Sequence, residues 1–246
     1  MRVSRACLPR WLLPGLPLLY LAGCPVRPAP PPPAPTAAPS AAPAAHFGVP
    51  YSVASAESLL TIRAYRGGTL AAAGHNHLIA SHELEGTVYV PADVHGASFE
   101  LRVPVATLTI DEAPLRAAEA SADFAAEVPD SAREGTRRNM LSEALLDGAH
   151  FPQIELRSLA LSELTPPQPG VLNARVQALV RAEAHEFSVP VHYEVLGGTL
   201  SASGELALRQ SELGLKPFSA LLGALQVQDE MRLSFRLRAH ASGSPR

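Results

Sequence analysis

The sequence predicts an all-β fold: an antiparallel sheet of about eight strands, closed as an up-and-down barrel or packed as a sandwich, with one helical insertion. Apolar and polar residues alternate with a period of two through most of the chain after Tyr51. Turns as short as Gly197-Gly198 separate the alternating segments, which implies antiparallel neighbours. One segment after Pro129 has the period of a helix instead.

The composition excludes two classes of protein. Of 246 residues, 47% are hydrophobic and 17% are charged, so the chain as a whole is not disordered. The 20 basic and 23 acidic residues give a net charge of −3, which provides no electrostatic footprint for nucleic acid. The length allows one large domain or two small ones.

The amino terminus, residues 1–23, has the pattern of a bacterial lipoprotein signal peptide. Arginines precede an apolar stretch over residues 11–22, which is shorter than the ~20 residues that span a bilayer. Its end, Leu21-Ala22-Gly23-Cys24, resembles the lipobox, in which the cysteine thiol takes a diacylglyceryl group. We therefore expect lipid attachment at Cys24 and a membrane-anchored lipoprotein that faces the periplasm. The alternative is an ordinary signal peptide with an accidental cysteine.

A proline- and alanine-rich tether is predicted over residues 24–50. Ten of residues 25–50 are proline, which lacks an N–H and favours extended polyproline II. At about 3.1 Å per residue such a segment reaches roughly 80 Å, enough to hold a domain away from a membrane. The folded domain then covers residues 51–241. It contains no cysteine, which excludes a disulfide and a thiol nucleophile.

The alternation indicates which side chains face the interior of this domain. The alternating segments are residues 60–64, 83–90, 98–105, 154–156, 172–182, 185–193, 200–209 and 230–240. Their polar faces carry Arg and Glu, and aromatic residues are only 5%, too few for the girdles of a membrane barrel. The apolar faces therefore point inward. The predicted lumen-lining, ligand-binding residues are Val176, Ala178, Val180, Phe187, Val189, Val191, Ala202, Leu206, Leu233 and Phe235.

Small residues on the inward faces predict an elongated apolar cavity. They are Gly86, Ala174, Ala178, Ala182, Ala202 and Gly204. Unfilled volume costs about 24 cal/mol per Å³, and a long apolar ligand would offset that cost. Tight packing by Phe and Leu from facing strands is the alternative, and the pattern alone does not choose between them.

The helical insertion begins near Pro129. Ser131 and Glu134 have the spacing of a capping box, and Gly148 suits the position just past the last turn. We expect this helix to cover the barrel mouth or to pack on its side. An alanine-rich stretch over residues 115–126 predicts a second, shorter helix.

Three stretches of the sequence resemble the YceI-like family in their order and spacing: residues 138–158, 183–191 and 208–215. Asn139 and Ala184 depart from the family pattern, which has Asp and Gly there. The resemblance implies a lipocalin-like barrel that binds a polyisoprenoid lipid, a quinone or a prenyl phosphate, in the cell envelope. It provides no catalytic motif and implies no cofactor besides the bound lipid, so we expect a binding protein and not an enzyme.

Two histidines support a different hypothesis. His75 and His77 are two residues apart, a spacing that places both on one face of a strand, where they could bind Zn or Cu with His82 as a third ligand. The alternative is a polar turn with hydrogen-bonded imidazoles. The sequence thus leaves three functions open: carriage or sequestration of an isoprenoid, a metal-binding or stress-related envelope protein, and a structural envelope module without a ligand.

Overall fold

A computed structural model describes residues 46–242 of the protein. The predicted signal peptide, Cys24 and nearly all of the predicted tether lie outside the described residues. The first strand begins at Val49, so the last two residues assigned to the tether, Val49 and Pro50, belong to the folded domain.

The described residues form twelve strands and two α-helices. The strands are β1 (Val49–Val53), β2 (Leu59–Gly67), β3 (His77–Ser81), β4 (Glu85–Val90), β5 (Ser98–Pro104), β6 (Thr109–Ile110), β7 (Gln153–Glu163), β8 (Val171–Val180), β9 (Glu183–Leu196), β10 (Thr199–Arg209), β11 (Ser219–Ala220) and β12 (Leu225–Ala241). The helices are α1 (Ala113–Ala118) and α2 (Asp130–Leu141). Each alternating segment of the sequence lies wholly or mostly in a strand, which confirms the all-β prediction.

Eight of these strands close into an antiparallel barrel in the order β1-β4-β5-β7-β8-β9-β10-β12. The ring closes where the end of β12 pairs with β1, Tyr51 opposite Ala241. The first part of β12 pairs with β2, and β3 and β6 follow β2 at the same edge. The predicted lipocalin-like barrel is therefore confirmed and the sandwich is excluded. β1 was not predicted, because its five residues are too few for a clear alternation.

Helix α2 covers one mouth of the barrel, as one of the two predicted placements had it. Its residues Thr136 and Met140 line the space inside the barrel. The Arg137 guanidinium fixes the helix to the rim by donating to the carbonyl oxygens of Leu108 and, at 2.5 Å, Ala106.

Helix α2 begins after Pro129 as predicted, but its predicted capping box and its predicted C-terminal end are wrong. The cap position is Pro129, and no side chain caps the helix, so Ser131 lies inside the first turn. The helix ends at Leu141, well before Gly148. After Leu141 the chain continues in turns, in which the Gly148 N–H donates to the Leu141 carbonyl. The predicted second helix exists as α1 but is shorter than residues 115–126.

The prediction that Gly86 and Gly204 leave empty volume in the lumen is wrong. The structure gives another reason why these two positions are glycine. Neither lines the cavity. Gly86 has φ +139°, and a Cβ there would lie 2.1 Å from the Glu100 carbonyl oxygen on β5. A Cβ on Gly204 would lie 2.5 Å from the Pro190 carbonyl oxygen. Both glycines allow close approach of a neighbouring strand. Ala182 lies outside the strands, in the turn between β8 and β9, with φ +62°.

Gly86→Ala is expected to lower the free energy of unfolding by more than about 1 kcal/mol, because Ala disfavours a positive φ and its methyl group would overlap the backbone of β5. Urea denaturation measures this change. Gly135→Ala is the matched control, since nothing lies within 4 Å of a Cβ there. In helix α2 that exchange is expected to be neutral or to stabilise by up to about 1 kcal/mol. Equal effects of the two substitutions would contradict the argument.

Candidate ligand-binding cavity

A cavity of about 610 Å³ occupies the interior of the barrel. All ten residues predicted to line the lumen do so, from Val176 on β8 to Phe235 on β12. Ala174, Ala178 and Ala202 contribute small side chains to this wall. The tightly packed interior that the sequence left open is therefore excluded. That these ten residues bind a ligand stays a prediction.

Eight of the described polar residues line the cavity: Tyr193, Gln210, Gln226 and five whose side chains lie at the end beneath α2. These five come from the end of β2, the turn before β3, the start of β3 and the helix itself: Arg66, His75, His77, Thr136 and Asn139. Among the described residues, no Asp or Glu belongs to the lining. The cavity is thus an apolar tube with one polar and weakly basic end.

His77 and a buried carboxylate lie behind this polar end. His77 Nδ1 lies 2.6 Å from Asp111 Oδ2, and His77 Nε2 lies 3.0 Å from the Thr136 hydroxyl. The carboxylate only accepts, so Nδ1 donates to Asp111, while Nε2 makes the hydrogen bond with the Thr136 hydroxyl. The Asp111 side chain is 0% exposed. This chain of hydrogen bonds links strand β3 to helix α2 across the mouth.

The second carboxylate oxygen of Asp111 has its own partners. Oδ1 accepts from the Leu78 N–H at 2.8 Å and from the Arg116 guanidinium at 2.7 Å. Burial by itself raises the pKa of Asp111, but the hydrogen bonds from His77 and Leu78 outweigh it, so the pKa lies below its ordinary value. The ionised carboxylate is therefore the form that the fold stabilises.

The stabilising contribution of Asp111 is expected to depend on pH. Folding lowers the pKa of Asp111, so its carboxylate contributes fully to stability above the pKa of the unfolded state, about 3.9. The contribution is lost as the pH falls from there through the pKa of the folded state. The free energy of unfolding of the wild-type protein should therefore exceed that of Asp111→Asn by more at about pH 6 than at about pH 3. Urea denaturation at both pH values measures the two differences. A difference that is equal or larger at the lower pH would contradict the assignment.

The three histidines of the metal hypothesis are not arranged around a common point in the structure. The ring centroids of His75 and His77 are 6.1 Å apart, and both nitrogens of His77 have protein partners. His82 instead bonds Glu112 at 3.1 Å. Within residues 46–242, no group of three or more His, Cys, Asp or Glu side chains is arranged to hold a metal ion. Binding of a metal by His75 and His77 stays a prediction.

Sequence reasoning missed Asp111 and Thr136. They lie 34 and 59 residues from His77 in the chain, so no local spacing connects them. One signal was available for Asp111: it follows the two-residue strand β6 at a polar position before an alanine-rich helix. Asp111 also has φ +54°, a left-handed conformation that we did not predict from the sequence.

Comparison with known proteins identifies the fold. The sequence matches no protein-family model and no curated protein. The crystal structure of Burkholderia cenocepacia BcnA superposes with a TM-score of 0.54 at 17% identity, covering 76% of this chain and 99% of BcnA. The chain has the BcnA fold.

Two further solved structures are similar to this BcnA-like barrel. A polyisoprenoid binding domain from Saccharophagus degradans, implicated in plant cell wall breakdown, has a TM-score of 0.49 at 10% identity and covers 79% of this chain and 99% of its own. The Campylobacter jejuni YCEI protein has a TM-score of 0.46 at 5% identity, with coverages of 65% and 82%. The resemblance to YceI-like proteins is confirmed at the level of the fold.

Neither helix of the BcnA-like domain, nor any other helix among the described residues, has the length and hydrophobicity needed to cross a membrane.

Proposed function

We propose that this protein binds an isoprenoid lipid, a quinone or a prenyl phosphate, in the barrel cavity and carries or sequesters it in the cell envelope. The observation that supports this most directly is the cavity itself. Its volume of about 610 Å³ lies in the range of roughly 300–1,000 Å³ typical of small-molecule sites. Each Å² of apolar surface that the lipid buries there contributes about 25 cal/mol.

The polar end of the cavity favours an amphiphile over a plain hydrocarbon. An apolar chain would lie along the valine, leucine and phenylalanine wall, and a polar headgroup would lie beneath α2, beside Arg66 and Asn139. The absence of carboxylates from the described lining means that a headgroup oxygen meets no like charge there. The YceI-like resemblance implies lipids of this kind.

Native mass spectrometry of the full-length protein purified from its own host tests the proposal. The expected result is a bound species whose mass matches an isoprenoid lipid in an organic extract of the same sample. Protein that carries no lipid, or only detergent, would contradict it. Isothermal titration of the same protein with Zn²⁺ tests the metal function separately. Binding of Zn²⁺ that is lost in His75→Ala would favour the metal function.

We infer further that Cys24 carries the lipid anchor and that residues 24–50 hold the barrel away from the membrane. The lipobox-like residues 21–24 and the proline content of the tether support this inference. Metabolic labelling with a radioactive fatty acid tests it. Cys24→Ala should abolish labelling, and Cys7→Ala, which changes the other cysteine of the chain, should not. Label retained by Cys24→Ala would overturn the inference.

A further inference from the structure

The barrel wall has a seam between β9 and β10. β9 has 14 residues and β10 has 11, yet their pairing covers only five pairs and ends at Ser203 opposite His192. On their other edges the same strands are fully used: β9 makes ten pairs with β8, and β10 makes eleven with β12. We call the unpaired edges, residues 183–191 of β9 and 204–209 of β10, the seam.

Pro190 explains where the pairing stops. The Tyr193 N–H donates toward β8, to the Gly170 carbonyl. Successive N–H groups of a strand point to opposite edges, so the even-numbered positions of β9 point toward β10. Pro190 lies at such a position and has no N–H to donate. Its carbonyl oxygen instead lies against the bare α-carbon of Gly204. The ladder therefore loses a hydrogen bond at the first donor position beyond its last pair, which is where the pairing ends.

The seam joins the interior of the barrel to its outer surface at Phe235. Phe235 lies opposite Gly204 in the β10–β12 pairing, and its ring packs against that glycine. Phe235 is also a lining residue of both the inner cavity and a separate outer groove of about 840 Å³. On the seam side, Pro190 and Glu205 line the groove. Phe187 and Leu206, which line the cavity beside the seam, are only partly buried.

Opening the wall at the seam breaks no ladder hydrogen bond between β9 and β10. At a fully laddered pair such as β10–β12, separation would break several bonds, each worth about 1 kcal/mol. Glu119, whose carboxylate binds Arg63 at 2.6 Å, also lines the outer groove. Leu59, Leu78 and Leu115 line the groove as well, so it offers apolar contacts to a chain that moves toward the seam.

We propose that the β9–β10 seam is a lateral portal through which the apolar chain of the lipid enters and leaves the cavity, with Phe235 as its gate. The inference rests on the proposed lipid-binding function. The lipid approaches along the outer groove, the Phe235 ring turns away from Gly204, and the chain passes between β9 and β10. Helix α2 stays fixed at the mouth throughout, held by Arg137 and by the Thr136–His77 hydrogen bond.

A cross-link across the seam tests the portal. The full-length chain carries Cys7→Ser and Cys24→Ser, so that introduced thiols are the only ones. Ser188 and Ala207 are both exposed, and they lie opposite each other if the β9–β10 register is continued past its last pair. In the variant Ser188→Cys with Ala207→Cys, a short bismaleimide joins the two thiols. The matched control keeps Ala207→Cys and joins it to Arg232→Cys across the intact β10–β12 ladder. The probe is all-trans-retinol, a fluorescent isoprenoid, delivered from phosphatidylcholine vesicles.

The seam-linked protein is expected to take up and release retinol at least tenfold more slowly than the same protein before linking, with equilibrium occupancy unchanged. The control should exchange within twofold of its unlinked rate. Phe235→Ala, which needs no cross-link, should accelerate both uptake and release several-fold. Equal exchange rates before and after linking the seam, or an unchanged rate in Phe235→Ala, would overturn the portal. If no variant binds retinol at all, the proposed isoprenoid function fails first, and the portal fails with it.

Discussion

Asp111→Ala is expected to lower the free energy of unfolding by about 3–5 kcal/mol, the cost of removing one partner from a buried ion pair. The substitution leaves the Arg116 guanidinium in place, because Arg116 also donates to the carbonyl oxygens of Asn76, Phe124 and Ala126. It also leaves His77 Nδ1 and the Leu78 N–H without their acceptor. Urea denaturation followed by circular dichroism measures the loss.

Asp130→Ala is the control for Asp111→Ala. Asp130 also pairs with an arginine, Arg133, but its side chain is 82% exposed. Exposed pairs contribute roughly 0.2–1 kcal/mol, so the control should lose no more than that. If Asp111→Ala costs as little as Asp130→Ala, the buried carboxylate does not stabilise the barrel mouth as argued.

Filling the cavity is expected to abolish lipid binding without unfolding the barrel. Ala174→Phe combined with Ala202→Phe places two rings in the lumen, since both residues belong to the cavity wall. We expect at least a tenfold loss of retinol affinity, which corresponds to about 1.4 kcal/mol. The added rings occupy existing empty volume, so the midpoint of thermal unfolding should be unchanged or higher. Fluorescence titration measures the affinity.

Ser201→Phe is the control for the filled cavity. It adds one ring to the outer face of β10, next in sequence to Ala202, and Ser201 is not a lining residue. The control should bind retinol with wild-type affinity. Wild-type affinity in the filled variant would place the ligand somewhere other than the lumen and would remove the basis of the proposed function.

The sequence predicted the inner wall well because the pattern of a strand is local. Successive side chains point to opposite faces, so the alternation through Phe187, Val189 and Val191 places all three on one side wherever the strand lies. The same holds for Leu206 on β10 and for Leu233 and Phe235 on β12, and every one of them lines the cavity.

Glycines and helix ends were predicted less well, because their signals have more than one cause. The alternation predicts Gly86 and Gly204 as small residues of the lumen, but the backbone of a neighbouring strand lies where their side chains would be. Ser131 and Glu134 have the spacing of a capping box, but the helix begins one residue earlier, at Asp130, after Pro129. Such details depend on contacts that a single segment of sequence does not contain.

The sequence by itself determined the strands, their inward faces and the apolar character of the lumen, since these follow from residue type and from the period of two. Only the tertiary structure decided that the sheet closes, that the lumen is hollow and that its polar end lies beneath α2. The physical reason is distance along the chain. Closure requires Tyr51 to pair with Ala241, and the polar end requires His77 to meet Asp111 and Thr136, contacts that form only when the whole barrel has folded.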